Sequence, residues 1–185
     1  MRPYVYVREH SMGIFDKFKK PAASAKPDDI KVEAVPANIY APTTGNSIRM
    51  EDVPDPVFAS GAMGKGIVIE PEIGTIYSPV DGEVTVTTGT LHALGLMGDN
   101  GVEILIHVGI DTVEMKGDGF AGFVNKGDKV KAGQALMTFD RDKIAKAGKK
   151  DHVIMVVTNT DDLPNVEPVS PQHINAGEVA VVVTR

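Results

Sequence analysis

The stretch Thr90-Leu91-His92-Ala93-Leu94-Gly95-Leu96-Met97-Gly98-Asp99-Asn100-Gly101-Val102-Glu103-Ile104-Leu105-Ile106-His107-Val108-Gly109-Ile110 decides how this chain is read. Two apolar runs flank Gly98-Asp99-Asn100-Gly101, a strong signal for a β-hairpin. Each run carries one histidine. With Asp99-Asn100 as the central turn residues, His92 faces His107 and Leu94 faces Leu105, with Cβ atoms about 4.5–5.5 Å apart. With Asn100-Gly101 central, the histidines become diagonal neighbours on one face, about 7–8 Å apart. A three-residue bulged loop shifts the pairing by one and sends them to opposite faces. Two of these three registers pair the imidazoles.

Alternation in the second run assigns its faces. Val102, Ile104, Ile106, Val108 and Ile110 form an apolar face that belongs to a core, while Glu103, Leu105, His107 and Gly109 form the other. His107 therefore points away from the main core, beside a glycine that leaves space over it. A histidine pair set among Leu94 and Leu105 on a partly exposed face suits chemistry performed with another macromolecule.

The rest of the chain reads as one domain of short strands. Its 185 residues are 42% hydrophobic, enough for a single good-sized core. The 19 basic and 25 acidic residues give a net charge of −6, with no basic patch for nucleic acid. There is no cysteine, which removes disulfides, thiolate zinc sites and cysteine nucleophiles and fits a reducing cytoplasm. No apolar run is long enough to span a bilayer, and no signal-peptide pattern opens the chain. Residues 1–11 read as an expression leader or extension. Residues 12–20 form a short basic segment in which Ile14, Phe15 and Phe18 oppose Lys17, Lys19 and Lys20, suited to weak contact with anionic lipid through residues 13–20. Residues 21–36 read as a flexible linker.

From there to residue 185, short apolar runs alternate with glycine and proline. This predicts an all-β fold, a compact antiparallel sandwich or barrel with minimal helix. Ala41-Pro42-Thr43-Thr44-Gly45 and Ser78-Pro79-Val80-Asp81-Gly82 repeat one pattern before a strand, predicting two similar units packed together. Residues 141–148 predict a short helical turn. Val153–Thr158 and Glu178–Thr184 predict late strands.

These motifs resemble the glucose-type IIA component of the bacterial phosphoenolpyruvate-dependent sugar phosphotransferase system, over roughly residues 37–185. The resemblance rests on Val53-Pro54-Asp55-Pro56-Val57-Phe58, Gly64-x-Gly66, Ser78-Pro79-x-x-Gly82, Thr90-x-His92-Ala93, Ile106-His107-x-Gly109-Ile110-Asp111-Thr112-Val113, Lys116-Gly117-x-Gly119-Phe120 and Gly127-x-x-Val130-x-x-Gly133. It implies a cytoplasmic phosphotransferase component with no cofactor. Its phosphoryl group would come from the phosphocarrier protein HPr and pass to the IIB domain of a sugar permease. By position, His107 matches the phosphorylated histidine, His92 the residue that steadies the phosphoryl group, and Thr90 a hydroxyl in their hydrogen-bond network. Phe58, Leu94, Leu105 and Val108 then form the expected docking rim. The chain departs from the family pattern where Leu105 and Val108 replace aromatics and where Leu91 replaces a polar residue.

Imidazole suits such a relay because it is both a nucleophile toward phosphorus and a good leaving group. One ring nitrogen must be free to attack, and a backbone carbonyl near Gly109 is placed to hold the other. His92 can donate a hydrogen bond to the phosphoryl group in transfer. Asp111 reads as a turn residue, and His152 and His173 lie in no motif and receive no role. Other classes fit less well. Lys126–Gln134 is similar to the turn of biotinyl and lipoyl carriers, with Lys116 the only modification candidate, but Gly117 breaks the attachment pattern. A zinc hydrolase needs a third ligand that the sequence lacks, leaving metal only at an interface where a partner's carboxylate would join His92 and His107. The alternative within the family is a regulatory protein whose binding to targets follows its phosphorylation state.

Overall fold

The computed structural model describes residues 25–184. Residues 1–11, the basic segment 12–20 and the first part of the expected linker lie outside them. The described strands are β1 (Asn38–Tyr40), β2 (Gly45–Ile48), β3 (Lys65–Pro71), β4 (Thr75–Tyr77), β5 (Gly82–Thr87), β6 (Ala93–Gly98), β7 (Glu103–Val108), β8 (Phe120–Gly122), β9 (Lys129–Val130), β10 (Ala135–Phe139), β11 (Val153–Val157), β12 (Asn165–Pro168), β13 (His173–Ile174) and β14 (Val179–Thr184). Two short helices, α1 (Pro56–Ala59) and α2 (Arg141–Lys146), complete the regular structure with three single turns of 3₁₀ helix. The predicted turn at 141–148 is α2, capped by the Asp140 carboxylate accepting from the Lys143 N–H. The predicted late strands are β11 and β14.

An eight-stranded sheet, ordered β13-β2-β3-β11-β7-β6-β5-β9, faces two three-stranded sheets, β1-β14-β12 and β4-β10-β8. Every ladder is antiparallel. The main core lies between the sheets and takes Ile104, Ile106 and Val108 from β7 with Val153, Met155 and Val157 from β11. The two proline-led repeats do pack together: Tyr40 N–H donates to the Pro79 carbonyl and Tyr77 N–H to the Pro42 carbonyl. This reciprocal exchange joins the units ahead of β2 and β5.

The large sheet is covered on its outer face as well. Residues 49–64 leave the sheet after β2 and fold back over it, enclosing a second cluster of Val53, Phe58, Val68, Ile110, Ile154 and Val156. That is why all five residues of β11 are buried: odd-numbered positions enter the main core and even-numbered ones the outer cluster.

Two expectations are corrected here. The linker reading fails over residues 29–35. Ile30 N–H donates to the Gly133 carbonyl, Ala135 N–H to the Asp29 carboxylate, and Tyr40 Oη to the Glu33 carbonyl while accepting from Val35 N–H. The polar composition misled because this arm is held by scattered hydrogen bonds, not by a continuous apolar face. The hairpin register is the second correction. Pairing runs Ala93↔His107, Leu94↔Ile106, Gly95↔Leu105, Leu96↔Ile104 and Met97↔Glu103. This is the three-residue loop, Asp99-Asn100-Gly101, closed by Gly98 N–H donating to Val102 O and Gly101 N–H to Gly98 O. Gly101 takes the left-handed conformation, φ 78°. Asn100 keeps its side chain for the loop itself, accepting from Val102 N–H and donating to the Pro36 carbonyl.

Candidate functional site

His107 sits on the outer face of β7, in the row Ala93–His107–Ile154 across β6, β7 and β11. The strand ends one residue later. Gly109 turns at φ 80°, and a Cβ there would lie 2.2 Å from Thr112 Cγ2, so only glycine fits. Its N–H donates to the His152 carbonyl, and the Thr112 hydroxyl donates to the Val108 carbonyl. The backbone beneath His107 is thus fixed from both sides.

Phe58 arrives from the covering segment. Pro56 opens α1 and the Asp55 carboxylate caps it, accepting from Val57 and Phe58 N–H. The Phe58 ring, 7% exposed, lies against the His107 ring at a centroid distance of 5.2 Å and 56° between planes.

His92 reaches the same place despite the register that should have sent it to the opposite face. It lies outside β6, following Leu91, which is left-handed at φ 56°. That conformation costs about 1 kcal/mol or more for a residue with a side chain. His92 keeps its ladder bond, its carbonyl accepting from Val108 N–H, while the twist at Leu91 brings its ring to the outer face. The His92 and His107 rings meet edge to face, centroids 5.0 Å apart and planes at 81°. The Thr90 hydroxyl lies 2.6 Å from His92 Nδ1.

Solvation and charge keep both rings neutral. Burial pushes the His107 pKa down, and the neighbouring His92 adds to this; the Gly109 backbone, Asp55 and Asp111 act weakly in the other direction. His92 is also lowered by burial. His107 Nδ1 is sealed from solvent with no fully formed hydrogen bond, and the Gly109 backbone is the group that acts on it in the sense favouring a proton there. Nε2 is the nitrogen left for chemistry.

The structure brings His92, His107, Thr90 and Phe58 together and leaves Leu105 half-buried on the same outer face. The expected docking rim needs correction at two positions. Leu94 is 2% exposed and Val108 is fully buried, both in the main core, so neither offers surface to a partner. The one-residue shift moved Leu94 across the sheet, and Val108 follows the alternation of β7 inward. The exposed apolar side chains beside the site are Val57 and Val113. Lys116 follows a 3₁₀ turn, where a carrier lysine would top a hairpin. Among the described residues no group of three metal-ligating side chains is assembled. Two residues passed over in the sequence also belong to the site's surroundings: Thr88, 3.4 Å from His92 Nδ1, and Asp55, which had only the Val53–Phe58 motif to mark it.

Fold and site together define an all-β sandwich built around an edge-to-face histidine pair. Comparison with known proteins gives that class a family. The profile described as phosphoenolpyruvate-dependent sugar phosphotransferase system, EIIA 1, matches residues 37–163. The chain is 39% identical over 165 residues to the glucose-specific EIIA component of Staphylococcus epidermidis, covering 89% of this chain and 96% of that one. It is 46% identical over 129 residues to the component of the same description from Bacillus cereus, covering 70% and 78%. The structure resembles glucose permease IIA from Mycoplasma capricolum with a TM-score of 0.71 and 33% identity, over 78% of this chain and 94% of that one. The chain belongs to the EIIA 1 family of the sugar phosphotransferase system. No helix of the described residues is long and apolar enough to cross a membrane.

Proposed function

We propose that this chain is a cytoplasmic phosphocarrier that takes a phosphoryl group from phospho-HPr onto His107 Nε2 and delivers it to the IIB domain of a glucose-type permease. The observation that supports this most is the asymmetry of the pair. Nδ1 of His107 is sealed and Nδ1 of His92 is held by Thr90, so each ring has Nε2 free. In acceptance, the Nε2 lone pair of His107 attacks phosphorus as the phosphorus–nitrogen bond of the donor histidine breaks. Nδ1 keeps its proton against the Gly109 backbone. His92, with Nδ1 accepting from Thr90, carries its proton on Nε2 and donates it as a hydrogen bond to the phosphoryl oxygens. Delivery reverses these roles toward the nucleophile of IIB, and the sugar's hydroxyl is the final acceptor.

Neutral imidazole is the required form on both rings, and burial supplies it at cytoplasmic pH. The rim of Val57, Leu105 and Val113 suits apolar docking, and residues 13–20 suit contact with anionic lipid near the permease. Labelling with phosphoenolpyruvate, the general phosphotransferase enzyme and HPr tests the reading. Wild-type protein takes up phosphate and His107→Ala takes up none; full labelling of His107→Ala defeats it.

A further inference from the structure

The turn that presents His92 is closed by a residue outside the pair. Thr88 N–H donates to the Ala93 carbonyl, the Thr88 hydroxyl donates to the same carbonyl at 3.2 Å, and Ala93 N–H donates back to that hydroxyl at 3.2 Å. Leu91 N–H donates to the Thr88 carbonyl, forming a β-turn over Thr88-Gly89-Thr90-Leu91. His92 is the residue left between this turn and the Thr88–Ala93 closure. It is looped out from β5, and the Thr88 hydroxyl stands 3.4 Å from its Nδ1.

We infer that Thr88 is a positioning residue for His92, holding its ring on the outer face and setting its tautomer. The inference rests on the reading of His92 as the group that steadies the transferred phosphoryl. Two hydroxyls, Thr90 and Thr88, face Nδ1 and no carboxylate does. The Thr88 proton is committed to the Ala93 carbonyl, which leaves the Thr90 hydroxyl as the donor to Nδ1 and fixes the ring proton on Nε2. The same Thr88 bonds hold Leu91 left-handed, against the preference of a side chain with Cβ. A single hydroxyl therefore couples the backbone outlier to the orientation of the ring. Strain at a leucine, beside a functional ring, is what a sheet needs when its register points the wrong way.

Thr88→Val keeps the shape and strand preference of threonine and removes the hydroxyl; Thr88→Ser keeps the hydroxyl. The first readout is independent of phosphotransfer: ¹⁵N chemical shifts of the His92 ring nitrogens in the full chain. The Nε2–H pattern is expected in wild type and Thr88→Ser, and a mixed-tautomer pattern in Thr88→Val. The second is the ratio of delivery to IIB over acceptance from phospho-HPr. It falls about ten-fold in Thr88→Val, the order of one hydrogen bond, and recovers in Thr88→Ser. Wild-type ring shifts in a folded Thr88→Val protein overturn the inference. Shifts that change as expected in a chain that takes no phosphate uphold the positioning role and overturn the relay reading instead.

Discussion

The two turns that bound β6 are built on one plan, and they differ in a single residue. Gly98-Asp99-Asn100-Gly101 and Thr88-Gly89-Thr90-Leu91 each close with the fourth N–H donating to the first carbonyl, and each ends left-handed, at φ 78° and φ 56°. The first uses glycine there and returns at once to the ladder at Val102. The second uses leucine and inserts His92 before Ala93 resumes pairing. One turn only connects strands, and the other presents a reactive side chain. The comparison shows where a local rule is broken and what the break achieves: the left-handed leucine and the extra residue move an imidazole across the sheet.

The largest difference between the turns should appear in His92→Gln. Glutamine keeps a donor but not the ring's geometry. Acceptance by His107 is expected to continue while delivery to IIB slows on the order of a hundred-fold, about 2.7 kcal/mol of lost transition-state stabilisation. Rapid-quench measurement of each half-reaction checks this. Equal losses in both halves would dissolve the functional contrast between the turns.

A smaller effect separates the two left-handed positions themselves. Gly101→Leu places a side chain at φ 78° on an exposed loop with nothing to pack against, and should cost about 1–2 kcal/mol. Leu91→Gly should be near neutral, within about 0.5 kcal/mol. It relieves the backbone but gives up the packing of the half-buried Leu91 side chain over Gly122. Urea midpoints of the two variants give the comparison directly. A strongly destabilised Leu91→Gly would mean that packing, not presentation of His92, explains leucine at this position.

Much of this was legible in the sequence. Alternation along Val102–Ile110 correctly sent Ile104, Ile106 and Val108 inward and His107 outward, and the proline-led repeats announced two units that do exchange hydrogen bonds. The register was not legible, because Asp-Asn-Gly serves two-residue and three-residue loops alike. The choice fell to Asn100, whose side chain bonds across the loop to Val102 and out to Pro36, sixty-four residues away in sequence. Leu94 was misplaced for the same reason. The pairing of the histidines then survived a register that should have separated them, since Leu91 gives no sequence signal for a left-handed backbone. Nor could periodicity find Phe58's place on the His107 ring; the covering segment that carries it is irregular, and the family motif alone marked it.

The smallest effect expected is on the pH dependence of stability, and it again divides the turns. His107, His92 and His152 all titrate below the usual value near ~6.5, in each case first because of burial. Between the depressed folded values and ~6.5 the unfolded chain therefore binds more protons than the folded one. Stability falls as pH drops through that window and stops falling once the folded-state values are passed. Carboxylates stay ionised down to pH ~5.5, so urea midpoints between pH 7.5 and 5.5 isolate the histidines. The wild-type midpoint should decline toward pH 5.5. Gly101→Leu should lower the whole curve in parallel, because no titrating group lies in its turn with a resolved shift, whereas His92→Gln should flatten the slope by removing one of the three protons. A midpoint that rises toward acid would mean the rings are held in their charged form, and the neutral nucleophile at the histidine turn would have to be abandoned.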